Sequence, residues 1–144
     1  MQCKIRHWRM EDAVDLAEAL NNKNILDNLR DGIPFPYTEQ DAKEYITATL
    51  NTDKESIYAF AITIEDRAIG SIGVFRQANI HSRAAEIGYY IAESYWGKGI
   101  GTSAIKQTCD YIFQNTDIIR IFAEPYANNI ASCRILEKCG FEYE

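Results

Sequence analysis

The spacing of apolar and polar residues predicts helices near the start of the chain. Between Glu11 and Asn21, apolar residues recur every three or four positions, as they do on one face of an amphipathic helix. Ile25 to Arg30 extends this pattern as a short second helix. A further helix begins in the Thr38 to Asp41 segment, which follows two prolines and has the composition of a helix start. The residues expected on the buried faces of the two longer helices are Ala13, Leu16, Ala17, Leu20, Ala42, Tyr45, Ile46 and Leu50.

The middle of the chain has the composition of successive β-strands. Met1 to Trp8 is predicted as an edge strand, and Ile57 to Ile64, Ile69 to Phe75 and Ala84 to Ala92 follow as three further strands. The links between these three, Glu65 to Arg67 and Gln77 to Arg83, are short and polar. They favour antiparallel hairpins.

A helix and a last strand complete the pattern. The helix runs from Gly99 to about Gln114, and the strand runs from Ile118 to Ala123. Because a strand, a long helix and another strand form a right-handed crossover, the strand from Ala84 and the strand from Ile118 are expected to be parallel neighbours. The fold class is therefore α/β (α+β), with a mixed, mostly antiparallel sheet. The residues expected on the buried face of this helix are Ala104, Ile105, Thr108, Cys109, Ile112 and Phe113.

Composition indicates one compact domain. The 144 residues are 47% hydrophobic and 25% charged, with three scattered prolines, so a single domain over residues 1–144 is expected. The first residues lack the apolar core of a signal peptide, and no apolar run approaches the ~18 residues of a membrane span. A soluble, cytoplasmic protein without a membrane partner is predicted.

Charge and cysteine content exclude some kinds of site. The net charge of −6 argues against nucleic-acid binding, which needs clustered Lys and Arg, and favours a cationic partner such as an amine. The four cysteines form no C-x-x-C pair and have no histidine nearby, so no metal site is expected. Cys109 and Cys133 fall on apolar helical stripes, as small core residues do.

Three alternate glycines, Gly97, Gly99 and Gly101, lie between a strand-like run and a helix-patterned segment. Glycine can adopt positive φ, and the start of the following helix presents unpaired N–H groups, so the turn can bind a phosphate through the main chain. It is neither a Walker A loop nor the Gly-x-Gly-x-x-Gly dinucleotide motif. Alone, it could also be a tight connection without a ligand.

Two segments taken in order carry a family resemblance. Trp96 to Gly101 reads Trp-Gly-Lys-Gly-Ile-Gly, and about thirty residues later Asn129 to Phe141 opens with Asn-x-x-Ser and closes with Gly-Phe. Together they resemble the pyrophosphate loop, Gln/Arg-x-x-Gly-x-Gly/Ala, and the final conserved helix of the GNAT N-acetyltransferase superfamily. The resemblance covers nearly the whole chain. Residues Ile5 to Trp8, Asp12 and Ala13, and Pro36 to Thr38 also look like the N-terminal arm of its ribosomal-protein (RimJ/RimL-like) subgroup.

The resemblance implies a GNAT-like sheet with helices on both faces and a splayed parallel strand pair that admits the pantetheine arm of acetyl-CoA. It implies an acetyl-CoA-dependent transfer to a primary amine, a protein N-terminus or a small molecule, in a ternary complex. Trp96 departs from the usual Gln or Arg, but the loop is expected to act mainly through its main chain. The residues expected to hold the co-substrate are Ile91, Ala92, Trp96, Gly97, Lys98, Gly99, Ile100, Gly101, Thr102, Asn129 and Ser132.

Glu86 is the candidate general base. A primary amine with a pKa near 10 must lose a proton before it can attack a thioester, and a carboxylate is the usual group for this. The resemblance implies a base at the start of the strand that leads into the loop. Alternation puts Glu86, Gly88, Tyr90 and Ala92 on one face, where Gly88 marks a bulge or leaves room for substrate. The other interpretation of Glu86 is an ordinary strand residue facing solvent or an arginine.

The proton donor for the leaving thiolate is less defined. Many family members place a tyrosine four residues before the Gly-Phe pair, where this chain has Leu136. Ser132 is the next candidate, although it could equally satisfy N–H groups of its own helix, and Tyr126 is a weaker one. A main-chain N–H near Ile91 is expected to stabilise the oxyanion.

The sequence leaves the acceptor and the assembly open. Family members normally continue for one or two strands beyond the position of Glu144, so a shortened chain or a homodimer that supplies the missing strands is considered. A catalytically weak acyl-CoA-binding or regulatory module is the alternative function. Acceptor specificity is expected in Leu26 to Tyr37 and Gln77 to Arg83.

Overall fold

A computed structural model describes residues 3–21, 37–51, 57–77, 83–123, 136 and 139–141. Within these residues the strands form one five-stranded sheet in the order β1-β2-β3-β4-β5. The first four strands pair antiparallel, and β4 and β5 pair in parallel. The strands are β1 (Lys4–His7), β2 (Ile57–Ile64), β3 (Arg67–Arg76), β4 (Ala84–Ile91) and β5 (Arg120–Phe122).

Three α-helices and two short 3₁₀ turns flank this sheet in the described residues. A 3₁₀ turn, Met10–Asp12, leads into α1 (Ala13–Leu20), and α2 spans Glu39–Leu50. A second 3₁₀ turn, Glu93–Tyr95, separates β4 from α3 (Ile100–Asn115). At the start of α2 the Thr38 hydroxyl accepts from the Asp41 N–H while the Asp41 carboxylate accepts from the Thr38 N–H, a capping box that fixes this end.

The sheet has an apolar core on each face. The first core, between the sheet and α3, contains Ile62, Ile72, Ile87 and Ile105 among its buried residues. The second core packs α1 and α2 against the opposite face and is built around the residues Trp8, Leu16, Leu20, Tyr37, Ala42, Ile46 and Ala61. Helices therefore cover both faces, as the resemblance implied.

The predicted strands are confirmed with small shifts at their ends, and the parallel pairing of β4 with β5 is confirmed. Two of the positions predicted to be buried are exposed: Leu50 is 44% exposed and Phe113 is 49% exposed. Ala19 rather than Ala17 is buried in α1. These positions lie at the edges of helical stripes, where the width of the packing partner decides burial. The predicted helix from Ile25 to Arg30 lies outside the described residues.

An ion-pair network ties the N-terminal strand to the β2–β3 hairpin. Arg6 donates to both oxygens of the buried Asp12 carboxylate at 2.8 Å, and the Arg9 N–H donates to the same carboxylate. Arg6 and Arg9 also bond Asp66, which lies in the hairpin turn with a φ of 65°. Burial by itself raises the pKa of Asp12, but the bonds from Arg6 and Arg9 outweigh it and hold the pKa below the usual value.

Replacing Asp12 with Asn should lower the free energy of unfolding by about 2–3 kcal/mol, because Arg6 loses a bidentate, largely buried partner. The folded-state pKa of Asp12 is lowered, so its stabilising effect is complete above the unfolded pKa of about 4 and is lost as the pH falls through the folded value. Chemical denaturation should therefore show a gap between wild type and D12N that narrows below about pH 4. Asp66→Asn, at an exposed partner of the same arginines, is the control and should lower the free energy of unfolding by less. A stability difference between wild type and D12N that does not change with pH would contradict the lowered pKa of Asp12.

Candidate active site

The site forms where β4 separates from β5. The two strands pair only from Ala84 with Arg120 to Glu86 with Phe122, whereas β4 continues to Ile91 along β3. The Ala92 N–H donates to the Ile69 carbonyl at 2.7 Å, which places the even-numbered main-chain groups of β4 toward β3. By alternation, the N–H and C=O of Ile91 point toward the edge of β4 that β5 pairs only as far as Glu86. Within the described residues, the parallel pairing is therefore confined to the start of β4, as the predicted splay requires.

Main-chain geometry separates the roles of Ile91 and Ala92. The Ala92 N–H donates a hydrogen bond to the Ile69 carbonyl, and the Ala92 carbonyl accepts one from the Tyr95 N–H at 2.9 Å. From the sequence, both residues are predicted to pair with a pantetheine arm. The geometry revises this for the Ala92 N–H, which already lies within the sheet, and leaves the Ile91 N–H as the donor directed into the splay.

The glycine turn has the conformation that the sequence predicts. Gly97 and Gly99 have φ values of 75° and 77°, and an added Cβ at either position would meet no atom within 4 Å. Glycine is required at these two positions because of the backbone conformation, since glycine adopts positive φ without strain. Gly99 is the N-cap of α3, so the N–H groups of the first turn, including Ile100, Gly101 and Thr102, face this loop.

The electrostatics of the turn suit an anion. The first turn of α3 contains no acidic residue, and its N-cap, Gly99, has no side chain that could bond the N–H groups. The first turn of the helix therefore carries no negative charge of its own to offset the positive end of the helix dipole. The Lys98 Nζ lies 5.8 Å from the centre of the Tyr95 ring, close to the mouth of the turn.

Glu86 lies between aromatic side chains on the sheet face that carries the second core. It is half-buried, opposite Phe75 on β3 and Phe122 on β5. The Arg120 guanidinium stacks 5.2 Å from the centre of the Phe122 ring on the same face. Glu86 is thus neither a fully solvated strand residue nor part of the apolar core.

Gly88 does not mark a bulge, because the β3–β4 register is continuous through the Gly73–Gly88 pair. The Phe75 ring lies over this pair: a Cβ added to Gly73 would approach the ring to 3.1 Å and one added to Gly88 to 4.0 Å. Main-chain atoms therefore form the bottom of the groove at the two glycines, and the aromatic ring of Phe75 covers one side of it. Phe75 is itself exposed, so this ring forms part of the surface beside Glu86.

A hydroxyl cluster, which is not among the site residues predicted from the sequence, continues this face beyond Gly88. The Tyr45 hydroxyl lies 3.3 Å from the Ser71 hydroxyl, and Ser71 is opposite Tyr90. Among the described residues, the buried Tyr90 hydroxyl has no hydrogen-bond partner. Burial raises the pKa of Tyr90 well above 10, with smaller contributions from Tyr45 and Tyr37, and the nearby Ser71 acts weakly in the opposite direction. Alternation from Glu86 places Tyr90 on this face, but it does not indicate Tyr45 or Ser71.

The described cysteines are not activated nucleophiles. Cys3 is buried, and Cys109 and Cys139 are half-buried free thiols. Burial raises the pKa of Cys109 to about 11 and raises that of Cys139, so both remain protonated at neutral pH. In the described ranges no group of three or more His, Cys, Asp or Glu side chains could hold a metal ion. None of the helices described there is both long and apolar enough to cross a bilayer.

Comparison with known proteins identifies the family. Residues 3–142 match the family model described as "Acetyltransferase (GNAT) domain". The chain belongs to the GNAT acetyltransferase family. The predicted family and fold are therefore confirmed, including the mixed sheet with its parallel β4–β5 pair.

Individual GNAT relatives agree with this assignment. The chain is 33% identical over 111 residues to "Probable N-acetyltransferase YjcK" of Bacillus subtilis, an alignment that covers 75% of this chain and 61% of that protein. Mycobacterium smegmatis RimJ in complex with CoA-disulfide has a TM-score of 0.88 at 23% identity, covering 99% of this chain and 71% of the other. AAC(6')-Ib in complex with ribostamycin and coenzyme A has a TM-score of 0.82 at 22% identity, covering 100% and 85%.

The remaining GNAT positions are only partly described. Asn129, Ser132, Tyr126 and Cys133 lie outside the described residues. Leu136, at the position where many family members carry tyrosine, is buried in the first core. This leucine therefore has an ordinary packing role at that position.

Replacing Tyr90 with Phe should leave stability unchanged or raise it by up to about 1 kcal/mol, because a buried hydroxyl without a partner is removed. Tyr45→Phe is the matched control: it removes a hydroxyl that lies within bonding distance of Ser71 and should cost about 0.5–1 kcal/mol. Thermal and urea unfolding would measure both variants. A Y90F variant less stable than Y45F would mean that the Tyr90 hydroxyl has a partner.

Proposed function

We propose that this chain is an acetyl-CoA-dependent N-acetyltransferase that transfers an acetyl group to a primary amine by direct attack in a ternary complex. The observation that carries the proposal is the splay of β4 from β5 beside a helix start with glycines of positive φ. The edge of β4 in the splay offers main-chain donors to a thioester arm, and the helix start with its glycine turn offers them to a diphosphate. Both occur in a chain of the GNAT family, and solved relatives contain CoA.

Acetyl-CoA fits this part of the molecule through main-chain groups. The N–H groups at the start of α3 and in the glycine turn would hold the diphosphate, with Lys98 adding positive charge nearby. The Ile91 N–H, directed into the splay, would donate to the thioester oxygen and stabilise the negative charge that develops there. Asn129 would bond the pantetheine arm, as the family resemblance implies.

The acceptor amine would approach from the face that bears Glu86. A carboxylate there can remove the ammonium proton directly or through water, and the surrounding rings of Phe75 and Phe122 limit its hydration. Ser132 would protonate or orient the leaving thiolate, because the usual tyrosine is replaced by Leu136. Direct attack needs no acyl-enzyme, which agrees with the protonated state of Cys109 and Cys139.

The class of acceptor is proposed as a protein N-terminus or a small-molecule amine. A RimJ-type relative and an aminoglycoside acetyltransferase resemble the fold to a similar degree, and the N-terminal arm of the chain favours the ribosomal-protein subgroup. We propose that the chain acts in the cytoplasm as one domain, with specificity residues in Leu26 to Tyr37 and Gln77 to Arg83.

A catalytically weak acyl-CoA-binding module is the second candidate, and Leu136 favours it. The first core surrounds this side chain, so no phenol is available at that position to protonate the thiolate. Release of free CoA thiol from acetyl-CoA, with a panel of N-terminal peptides, aminoglycosides and polyamines, separates the two candidates. Release of CoA thiol that depends on an acceptor amine supports the transferase. Saturable binding of acetyl-CoA without such release supports the binding module.

Gly99→Ala should weaken acetyl-CoA binding about five- to tenfold, because an alanine at a φ of 77° is strained by roughly 1–2 kcal/mol and shifts the N–H groups of the turn. Gly140→Ala is the matched control, since Gly140 also has positive φ and open surroundings but lies after the last helical residue described. Isothermal calorimetry with acetyl-CoA measures both. Equal effects of the two substitutions would contradict a diphosphate site at the turn.

Glu86→Gln should lower kcat by ~100-fold or more with the best amine of the panel, because the amide cannot accept the ammonium proton. The loss should diminish at high pH, where free amine is more abundant. Glu18→Gln, at an exposed residue of α1 paired with Arg67, is the control and should leave kcat unchanged. Identical pH–rate profiles for wild type and E86Q would exclude Glu86 as the base.

A further inference from the structure

The Trp96 side chain makes a specific bond that the family loop pattern does not describe. Its indole Nε1–H donates to the carbonyl of Ile91 at 2.7 Å, although the residue as a whole is 48% exposed. An exposed aromatic ring that satisfies a main-chain carbonyl within its own loop is held in one orientation. The bond therefore links the first residue of the diphosphate turn to the end of β4.

The accepting carbonyl belongs to a peptide unit held at both ends. The same unit carries the Ala92 N–H, which donates to the Ile69 carbonyl at 2.7 Å inside the sheet. Hydrogen bonds at the two ends of one amide polarise each other and restrain its rotation. Because the Ile91 N–H belongs to the adjacent peptide unit, restraining the Ile91 carbonyl also restrains the direction of that N–H.

The connection between the two ends is short and internally bonded. The Tyr95 N–H donates to the Ala92 carbonyl and the Trp96 N–H to the Glu93 carbonyl, closing the 3₁₀ turn. The indole bond adds a side-chain contact across the same turn. Together these bonds fix how far the glycine turn lies from the main-chain donor in the splay.

We propose that Trp96 is a positioning residue, whose indole N–H sets the spacing between the diphosphate-binding turn and the Ile91 N–H that receives the thioester. The inference rests on the proposed function. The Trp96 side chain would then contribute to co-substrate binding in addition to the main chain of the loop. A carbonyl oxygen has a second lone pair, so the bond leaves Ile91 able to accept once more from a pantetheine amide.

The test compares two ligands on two phenylalanine variants. Acetyl-CoA engages both the turn and the splay, whereas ADP carries the diphosphate without a pantetheine arm. Trp96→Phe keeps a ring but removes the N–H, so acetyl-CoA should bind roughly five- to tenfold more weakly while ADP affinity changes less than twofold. Trp8→Phe is the matched control: the buried Trp8 Nε1 has no hydrogen-bond partner in the part of the chain that the structure describes, so both affinities should be unchanged.

A second readout follows the bond itself. The chain has only two tryptophans, so the indole ¹H–¹⁵N spectrum contains two signals, and the W96F variant assigns them. The Trp96 indole proton should exchange with solvent at least tenfold more slowly than that of free tryptophan despite the exposure of its ring. Its resonance should shift on addition of acetyl-CoA.

The outcomes separate this inference from the proposed function. Wild type that fails to bind acetyl-CoA overturns both. If the wild type binds acetyl-CoA but W96F loses affinity for acetyl-CoA and ADP to the same extent, only the positioning role is overturned. The same holds if W96F loses affinity for neither ligand. Indole exchange at the rate of free tryptophan also overturns it.

Discussion

The structure depends on the early separation of two parallel strands. Once β5 stops pairing at Phe122, β4 continues to Ile91 with one edge turned away from β3. Main-chain donors on such an edge need partners, and a ligand with amide and carbonyl groups can supply them as an added strand would. The first glycine of the turn, Gly97, lies six residues further along the chain, close enough for one extended molecule to contact both.

The two faces of β4 divide the chemistry. Odd-numbered side chains such as Ile87 and Ile91 enter the first core, which anchors the strand against α3 and so fixes the helix start relative to the strand end. Even-numbered positions carry Glu86 and Tyr90 to the other face, toward α1 and α2. The period of two in a β-strand thus separates the side that fixes the co-substrate site from the side that would receive the amine.

Much of this could be predicted from local sequence. The capping box at Thr38, the bounds of β2 and the positive φ of Gly97 and Gly99 follow from residues adjacent in the chain. The exposure of Leu50 and Phe113 could not, because helical periodicity predicts a face but not its width. The Phe75 ring over the Gly73–Gly88 pair and the bond from Trp96 to Ile91 depend on side-chain orientation across strands or turns, which no sequence pattern specifies.

Mapping the main-chain amides that respond to CoA tests the central claim most directly. Backbone ¹H–¹⁵N spectra recorded during a titration with CoA should show the largest shifts at Ile91 and at Gly99, Ile100 and Gly101, because a diphosphate would bond the turn while the pantetheine arm enters the splay. Small shifts there, with the main perturbations on the outer face of α1 or α2, would contradict the account.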